Sequence, residues 1–228
     1  MSRECRYIMN LKTGPNSPST ANQNFPEKLL ICSTRRSVFS LFQSHLDLAR
    51  MYWSALIEVG DTVVDATCGN GHDTLTLSQL ALSTDKGWVY ALDLQIDAVE
   101  STRQRLAAHL PLHLSQRVHL YHTCHSQFPD CITTGSVKAI VYNLGYLPGG
   151  NKEATTQRKT TLESIQKAEK LLQPGGLISV TCYIGHPEGL QERDLILSYA
   201  ATLPPEEWSC CHHVWHNRRQ APSLLLMQ

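Results

Sequence analysis

The most informative segment of the chain reads Val63-Val64-Asp65-Ala66-Thr67-Cys68-Gly69-Asn70-Gly71-His72-Asp73-Thr74. An apolar run ends in an acidic residue, and a Gly-x-Gly turn then leads into a segment that we expect to be helical. Gly69 and Gly71 allow a sharp turn and let a ligand approach the backbone without meeting a Cβ atom. A strand, a glycine turn and a helix in this order are typical of a doubly wound α/β fold, in which the turn binds a ligand. A tight turn that binds nothing is the alternative.

A second acidic residue, Asp93, follows Gly71 by 22 residues and ends the next apolar run. An acid at this distance commonly binds the ribose hydroxyls of a nucleotide. A dinucleotide site would have a third glycine where this chain has Thr74, and the charge of Asp65 would repel its phosphates. The same charge would attract the ammonium group of S-adenosylmethionine, which carries no phosphate. The two acids and the turn therefore favour S-adenosylmethionine over a nicotinamide cofactor.

The rest of the chain alternates apolar runs of strand length with helical patterns. Continuous apolar runs are typical of strands buried on both faces, and their alternation with helices indicates a mostly parallel sheet. The last two runs lie close together and indicate an antiparallel hairpin at one sheet edge. We expect helices at residues 38–57, 75–82, 96–110, 160–172 and 191–201, and strands at residues 63–66, 88–92, 118–121, 137–142, 177–183, 208–215 and 223–227.

The composition indicates one globular domain with an extension. Of the 228 residues, 42% are hydrophobic and 18% are charged, and Lys+Arg and Asp+Glu both number 20. The zero net charge excludes a histone-like or polyanionic protein, but it leaves room for a local basic face that binds nucleic acid. Residues 1–37 contain prolines among polar residues and lack apolar periodicity, so they predict a flexible leader before a domain at residues 38–228.

Cysteine usage and the lack of targeting patterns predict a cytoplasmic protein. The eight cysteines form no CxxC pair, which indicates reduced thiols inside a cell. No apolar run has the length of a membrane span, and no signal-peptide pattern is present. We therefore expect no membrane partner. The basic leader with its Ser and Thr residues makes an organelle such as the plastid the alternative location.

The fourth predicted strand ends in a polar residue that is followed by an aromatic residue and a proline. Many methyltransferases that act on nitrogen carry an Asx-Pro-Pro-aromatic motif at this point, whose amide oxygen accepts a hydrogen bond from the target amine. Asn143 could act in this way, with Tyr146 as a wall of the acceptor pocket. Because the order of residues differs from that motif, a tight turn formed by Gly145 and Pro148 is the alternative.

Segments rich in His and Cys raise the question of a metal site. His122, Cys124 and His125 are not followed by a second ligand pair at zinc spacing. Residues 210–213 read Cys-Cys-His-His, but neighbouring side chains on a strand point to opposite faces and cannot all meet at one ion. The sequence therefore predicts no metal.

Three strings resemble those of a known family: DATCGNGHDT at residues 65–74, NLGYLPGG at residues 143–150 and GHPEG at residues 185–189. They are similar to the tRNA 5-aminomethyl-2-thiouridine methyltransferases, the MnmM group, formerly described as rRNA methylases. The resemblance covers residues 38–228. It implies a Rossmann-like class I methyltransferase fold with a seven-stranded sheet and helices on both faces. It also implies methyl transfer from S-adenosylmethionine, with S-adenosylhomocysteine as product, to the amine of 5-aminomethyl-2-thiouridine at the tRNA wobble position.

The resemblance also implies site residues. Beside Asp65, Gly69 and Gly71, it extends the cofactor contacts to Asn70, His72, Asp93, Gln95, Cys124 and His125, and it assigns substrate contacts to Leu144, Gly145 and Pro148. Two further groups follow from their position at the same end of the sheet. His186 after the fifth strand is a candidate catalytic residue, with a role in a turn as the alternative. Lys152, Arg158 and Lys159 are candidates for contact with tRNA phosphates, with a solvated surface as the alternative.

Several readings of function remain open from the sequence. The first is a tRNA methyltransferase that binds the anticodon region. A methyltransferase acting on rRNA or on a small amine is the second, and a non-catalytic nucleotide-binding module is the third. The apolar face of residues 38–57 could support a homodimer, or it could be buried within one chain.

Overall fold

The computed structural model describes residues 44–145, 158–185 and 187–228. The predicted leader at residues 1–37, its boundary with the domain and the first residues of the predicted helix at 38–57 lie outside the described residues. All described residues belong to one compact unit.

The helices match the predicted ones closely, with one addition. They are α1 (His45–Leu56), α2 (His72–Ala81), α3 (Ile96–His109), α4 (Leu112–Ser115), α5 (Arg158–Leu171) and α6 (Pro187–Ala200). Helix α4 was not predicted because a single turn after Pro111 is too short to show periodicity. Helix α2 begins three residues before its predicted start, since its polar first turn follows the glycine turn directly.

Seven strands form one sheet. They are β1 (Thr62–Asp65), β2 (Trp88–Asp93), β3 (Val118–His122), β4 (Val137–Leu144), β5 (Leu172–Cys182), β6 (Cys210–His213) and β7 (Ser223–Met227), and their order in the sheet is β3-β2-β1-β4-β5-β7-β6. The strands β1 to β5 pair in parallel, whereas β7 runs antiparallel to both β5 and β6. The predicted seven-stranded, mostly parallel sheet with an antiparallel hairpin at one edge is thereby confirmed.

Helices cover both faces of this sheet because its strands are apolar on both sides. One face packs against α1, α2 and α3 through residues such as Trp53, Leu77 and Leu106. The other packs against α5 and α6 through residues such as Ile165 and Ile196. The apolar face of α1 is therefore buried within the chain, which is one of the two alternatives that the sequence left open. Within the described part of the chain, no helix combines the length and apolar content needed to cross a bilayer.

The parallel strands bring several chemically distinct segments to one edge of the sheet. The carboxyl ends of β1, β2 and β4 are Asp65, Asp93 and Leu144, and in each case a polar or glycine-containing segment follows or overlaps the end. Ligands of doubly wound folds bind in the crevice outside these strand ends. The fold therefore places the predicted site residues of β1, β2 and β4 beside one another.

Candidate active site

The glycine turn between β1 and α2 is built over a buried carboxyl group. Asp65 is fully buried, and its Oδ2 accepts a hydrogen bond from the Thr74 hydroxyl at 2.6 Å. Its Oδ1 accepts from the backbone N–H of Thr67 at 3.3 Å. Burial, with the nearby charge of Asp73, raises the pKa of Asp65 to about 7. Because its side chain is fully buried beneath the turn, Asp65 is not offered for direct contact with a ligand in the crevice.

Helix α3 holds the glycine turn in place from the side. Thr102 donates its hydroxyl hydrogen to the carbonyl oxygen of Gly69 at 3.0 Å, and the Arg105 Nε donates to the carbonyl oxygen of Asn70 at 2.5 Å. The Ser101 hydroxyl donates to the Asn70 side-chain oxygen at 3.2 Å. The backbone shape of the turn is thus fixed by the helix that follows β2.

Gly71 is required at its position for two reasons. Its φ angle is +76°, a left-handed conformation that disfavours residues with a side chain. In addition, a Cβ atom on Gly71 would lie 2.8 Å from the Cα of Thr102, which is backbone and cannot rotate away. The glycine therefore allows the close approach of the turn to α3.

We expect the substitution Gly71→Ala to lower the free energy of unfolding by about 3 kcal/mol, because it adds overpacking to a left-handed conformation. The matched control is Gly135→Ala, since Gly135 has a φ of +71° and, beyond its chain neighbours, no described residue has an atom within 4 Å of where its Cβ would lie. Gly135→Ala should lower the free energy of unfolding by about 1 kcal/mol. Urea unfolding of the two variants measures the difference, and equal losses would refute the role of the close approach.

Asp93 at the end of β2 lies directly against the glycine turn. Its Oδ2 accepts from the backbone N–H of Gly69 at 2.9 Å, and its Oδ1 accepts from the backbone N–H of Gln95 at 2.9 Å. Burial raises the pKa of Asp93, and these two hydrogen bonds oppose the rise. The half-buried carboxylate keeps lone pairs for ligand hydroxyls. The structure thus brings Asp93, Gln95 and Gly69 together as the sequence predicted.

Two predicted cofactor contacts follow β3, and they differ in burial. Cys124 is half-buried, whereas His125 is buried with its ring edge-on to Tyr142. The hydroxyl of Thr161 donates its hydrogen to Glu192 and also lies 3.3 Å from the Nε2 of His125. Because that hydroxyl has no second hydrogen to donate, the Nε2 of His125 must carry the hydrogen of the second bond. Burial lowers the pKa of His125 to about 4. The ring of His125 is therefore neutral at pH 7 and packs against α5.

The end of β4 carries a hydrogen-bond acceptor with no partner among the described residues. The Asn143 backbone N–H donates to the Thr67 hydroxyl at 2.7 Å, and its Nδ2 donates to Asp73 Oδ2 at 2.7 Å. The Oδ1 atom of Asn143 is buried, yet none of residues 44–145, 158–185 and 187–228 donates to it. A buried acceptor without a donor is unfavourable, and a ligand N–H group would satisfy it.

Helix α1 adds two residues to this end of the site. The guanidinium of Arg50 forms an ion pair with Asp73 Oδ1 at 2.9 Å. His45 contacts the Tyr183 hydroxyl through its Nε2 at 3.2 Å, with the two rings edge to face. Burial raises the pKa of Tyr183 to about 12 and lowers the pKa of His45, so both rings are uncharged at neutral pH. Tyr183 lies beside Gly145, and the pair forms an aromatic wall next to the end of β4.

Sequence reasoning missed the roles of Arg50, Asp73, His45 and Tyr183. Asp73 lies within the quoted glycine segment, and its place in the first turn of a helix after the turn was the available signal. The other three have no local signal, because their contacts join α1 to α2 and to the end of β5.

The remaining predicted site residues differ in whether their side chains are exposed and so available to a ligand. The side chain of Leu144 is 1% exposed and packs in the core, so it is not offered to a substrate. His72 is an exposed residue at the start of α2, and Arg158 and Lys159 are exposed at the start of α5. Tyr146, Pro148, Lys152 and His186 lie outside the described residues. Among the described ranges, no three His, Cys, Asp or Glu side chains are grouped to hold a metal.

Comparison with known proteins places this architecture in a family. Residues 89–228 match the family model described as "Putative rRNA methylase". The chain is 41% identical over 185 residues to the Arabidopsis thaliana protein named "tRNA (mnm(5)s(2)U34)-methyltransferase, chloroplastic", a match that spans 79% of this chain and 68% of that protein.

Two solved bacterial structures share the fold over 82% of this chain and 98% of their own. A "putative rRNA-methylase" from Clostridium thermocellum is 32% identical with a TM-score of 0.76. A "putative methyltransferase" from Streptococcus mutans, solved in complex with SAH, is 28% identical with a TM-score of 0.71. The predicted family and the predicted class I methyltransferase fold are both confirmed. This chain belongs to the rRNA methylase family of class I methyltransferases.

Proposed function

We propose that this methyltransferase transfers a methyl group from S-adenosylmethionine to the amine of 5-aminomethyl-2-thiouridine at the wobble position of tRNA. The observation that carries the proposal is the 41% identity over 185 residues with a protein named for tRNA and mnm(5)s(2)U34. The buried Oδ1 atom of Asn143, which has no donor among the described residues, supports an amine as the group that is methylated.

The crevice suits S-adenosylmethionine better than a dinucleotide. The ionised form of Asp65 places negative charge beneath the glycine turn, which favours an ammonium group and disfavours a diphosphate, whereas the charge of Asp73 is paired with Arg50. We propose that Asp93 binds the ribose hydroxyls and that the backbone of the turn lies along the cofactor. The further cofactor contacts that we propose are Asn70, His72, Gln95, Cys124 and His125.

When bound, S-adenosylmethionine supplies an electrophilic methyl group on a positively charged sulfur. The nucleophile would be the lone pair of a neutral amine, and the carbon–sulfur bond would break as the carbon–nitrogen bond forms. The electron pair of the broken bond would stay on sulfur, and the methylated amine would release its extra proton to solvent. The chain has mainly to align the reactants and exclude water.

Asn143 can perform the alignment. Its Oδ1 can accept a hydrogen bond from an N–H of the substrate amine but cannot donate one. Such a bond would orient the amine and direct the nitrogen lone pair away from the amide. The uncharged rings of His45 and Tyr183, which contact each other, line the same end of the crevice. Tyr146 and His186, which lie outside the described residues, stay predictions as a wall and as a proton acceptor.

The reaction is tested by nucleoside mass spectrometry. Purified protein, S-adenosylmethionine and tRNA carrying 5-aminomethyl-2-thiouridine should yield the methylated nucleoside, and rRNA from the same cells is the control. Methylation of rRNA but not of tRNA would refute the proposal in favour of the rRNA alternative. A protein that binds S-adenosylhomocysteine in calorimetry but methylates neither RNA would support a non-catalytic module.

We propose that tRNA phosphates contact the start of α5, where Arg158 and Lys159 are exposed. Replacing both with Ala should weaken tRNA binding and reduce the slope of log affinity against log salt by about one per lost contact. The double variant Arg103→Ala/Lys170→Ala removes two exposed charges from other helix positions and is the matched control. Equal slopes for the two double variants would contradict the contact.

The cellular location and the oligomeric state of this protein are further proposals. The Arabidopsis relative is named chloroplastic. We propose a cytoplasmic location for this chain, with an organelle as the alternative, and fluorescence from a full-length fusion distinguishes them. Contact with the tRNA anticodon region and a homodimer stay predictions, and sedimentation analysis of the free protein and its tRNA complex tests the second.

A further inference from the structure

We propose that Arg50 and Asp73 are positioning residues that fix the side-chain amide of Asn143 with its oxygen turned to the acceptor amine. The inference rests on the proposed function, because it assigns a task to residues around the same acceptor site. Its basis is a chain of contacts that joins α1, α2 and the end of β4.

The carboxylate of Asp73 determines which way the Asn143 amide is turned. An ionised carboxylate can only accept hydrogen bonds, whereas an amide has a donor side and an acceptor side. At 2.7 Å from Asp73 Oδ2, the amide must present its Nδ2, since two oxygens at that distance would repel. The backbone bond from Asn143 to Thr67 fixes the other end of the residue. The Oδ1 atom is thereby left as the buried acceptor.

Arg50 holds the carboxylate of Asp73 through one of its two oxygens. Its Nε and terminal nitrogen lie 3.3 Å and 2.9 Å from the same oxygen, Asp73 Oδ1. The other oxygen therefore stays available to Asn143. Both side chains of the ion pair are largely shielded, with exposed fractions of 20% and 10%, so solvent weakens their attraction less than at an open surface. Asp73 also lies in the first turn of α2, where the helix dipole favours negative charge.

A competing role for the same pair is direct contact with the amino-acid part of the cofactor. Arg50 could bind its carboxylate, and Asp73 could bind its ammonium. This role would make cofactor affinity depend on the pair, whereas positioning of Asn143 would leave that affinity nearly unchanged. The affinity for S-adenosylhomocysteine therefore separates the two roles.

The primary test is the variant Asp73→Asn. A neutral amide at position 73 can offer a donor to Asn143, so the Asn143 amide is free to rotate and its oxygen is no longer directed to the acceptor. We expect kcat to fall about 10-fold to 100-fold, with the KM for tRNA and the affinity for S-adenosylhomocysteine within about twofold of wild type. A loss of cofactor affinity that accounts for the loss in rate would overturn the inference.

A double-mutant cycle tests whether Asp73 acts through Asn143. In an Asn143→Ala background, Asp73→Asn should lower kcat no further, because the group that it orients is gone. Two independent losses that multiply would overturn the inference. Arg50→Lys and Arg50→Met form a second pair, in which the charged variant should retain more of the rate than the uncharged one. This pair keeps the inference testable if Asp73→Asn does not fold.

A readout without turnover distinguishes failure of the inference from failure of the proposed function. The side-chain NH₂ resonances of Asn143, assigned by their loss in Asn143→Ala, should exchange slowly with solvent in the free wild-type protein. They should shift and exchange faster in Asp73→Asn. Unchanged resonances would overturn the positioning role even if tRNA is methylated. A wild-type protein that shows the expected resonances but methylates no tRNA would instead refute the proposed function.

Discussion

The substitution Asn143→Ala is expected to lower kcat for tRNA methylation by about 10²-fold or more. The reason is that the variant removes the atom that we propose holds the amine in line with the methyl group, and small errors in such alignment have effects of this size. The affinity for S-adenosylhomocysteine should stay within about twofold, because the glycine turn and Asp93 are left in place. Single-turnover assays with saturating cofactor and tRNA measure the change.

The matched control for this variant is Asn217→Ala, which removes an asparagine from an exposed turn between β6 and β7. It should retain the wild-type rate. Asn143→Asp is not a conservative change in this protein, since it would place a second carboxylate against Asp73 at the present 2.7 Å contact. If Asn143→Ala turned over tRNA at the wild-type rate, the acceptor role of its amide oxygen would be wrong.

The second large effect is expected from Asp93→Ala, which should weaken binding of S-adenosylhomocysteine about 10-fold to 150-fold. The range corresponds to the loss of a charge-assisted hydrogen bond of roughly 1.5–3 kcal/mol to the ribose. Asp93 also accepts from the backbone N–H of Gly69, so the variant loosens the turn as well. Isothermal titration calorimetry on the free protein measures the change.

Two further variants separate these contributions. Asp97→Ala removes a carboxylate from the first turn of α3, four residues further on, and should leave the affinity near its wild-type value. Asp93→Asn keeps an oxygen for the Gly69 N–H but lacks the charge, so its affinity should fall between those of wild type and Asp93→Ala. Wild-type affinity in Asp93→Ala would remove this residue from the cofactor site.

The cofactor half of the site could be predicted because its signals are local. The turn from β1 to α2 and the acid at the end of β2 are each encoded in one short segment, and parallel pairing brings strand ends together. Asp93 therefore lies against Gly69 as expected. The sequence did not show that Asp65 would be fully buried, because burial depends on how Thr67 and Thr74 fold over its carboxyl group.

The acceptor half could be predicted only in part. Asn143 was predicted from its place at a strand end. Its contact with Asp73 spans 70 positions, and the ion pair of Asp73 with Arg50 spans 23. Such contacts depend on how α1 and α2 pack on the sheet. The contact of the His125 ring with Thr161 of α5 likewise joins distant positions, and its place after β3 gave no sign of that partner.

The order of the last strands constrains how the chain can reach its native state. Strand β7 follows β6 in sequence, yet it lies between β5 and β6 and all five of its residues are buried. A premature pairing of β6 with β5 would occupy the edge that β7 needs and would have to dissociate before folding could finish. Such long-range pairing is slow and leaves strand edges open to other chains. Overproduction of this protein at high temperature should therefore favour aggregates over folded protein, and chaperones that shield open strand edges should raise its yield.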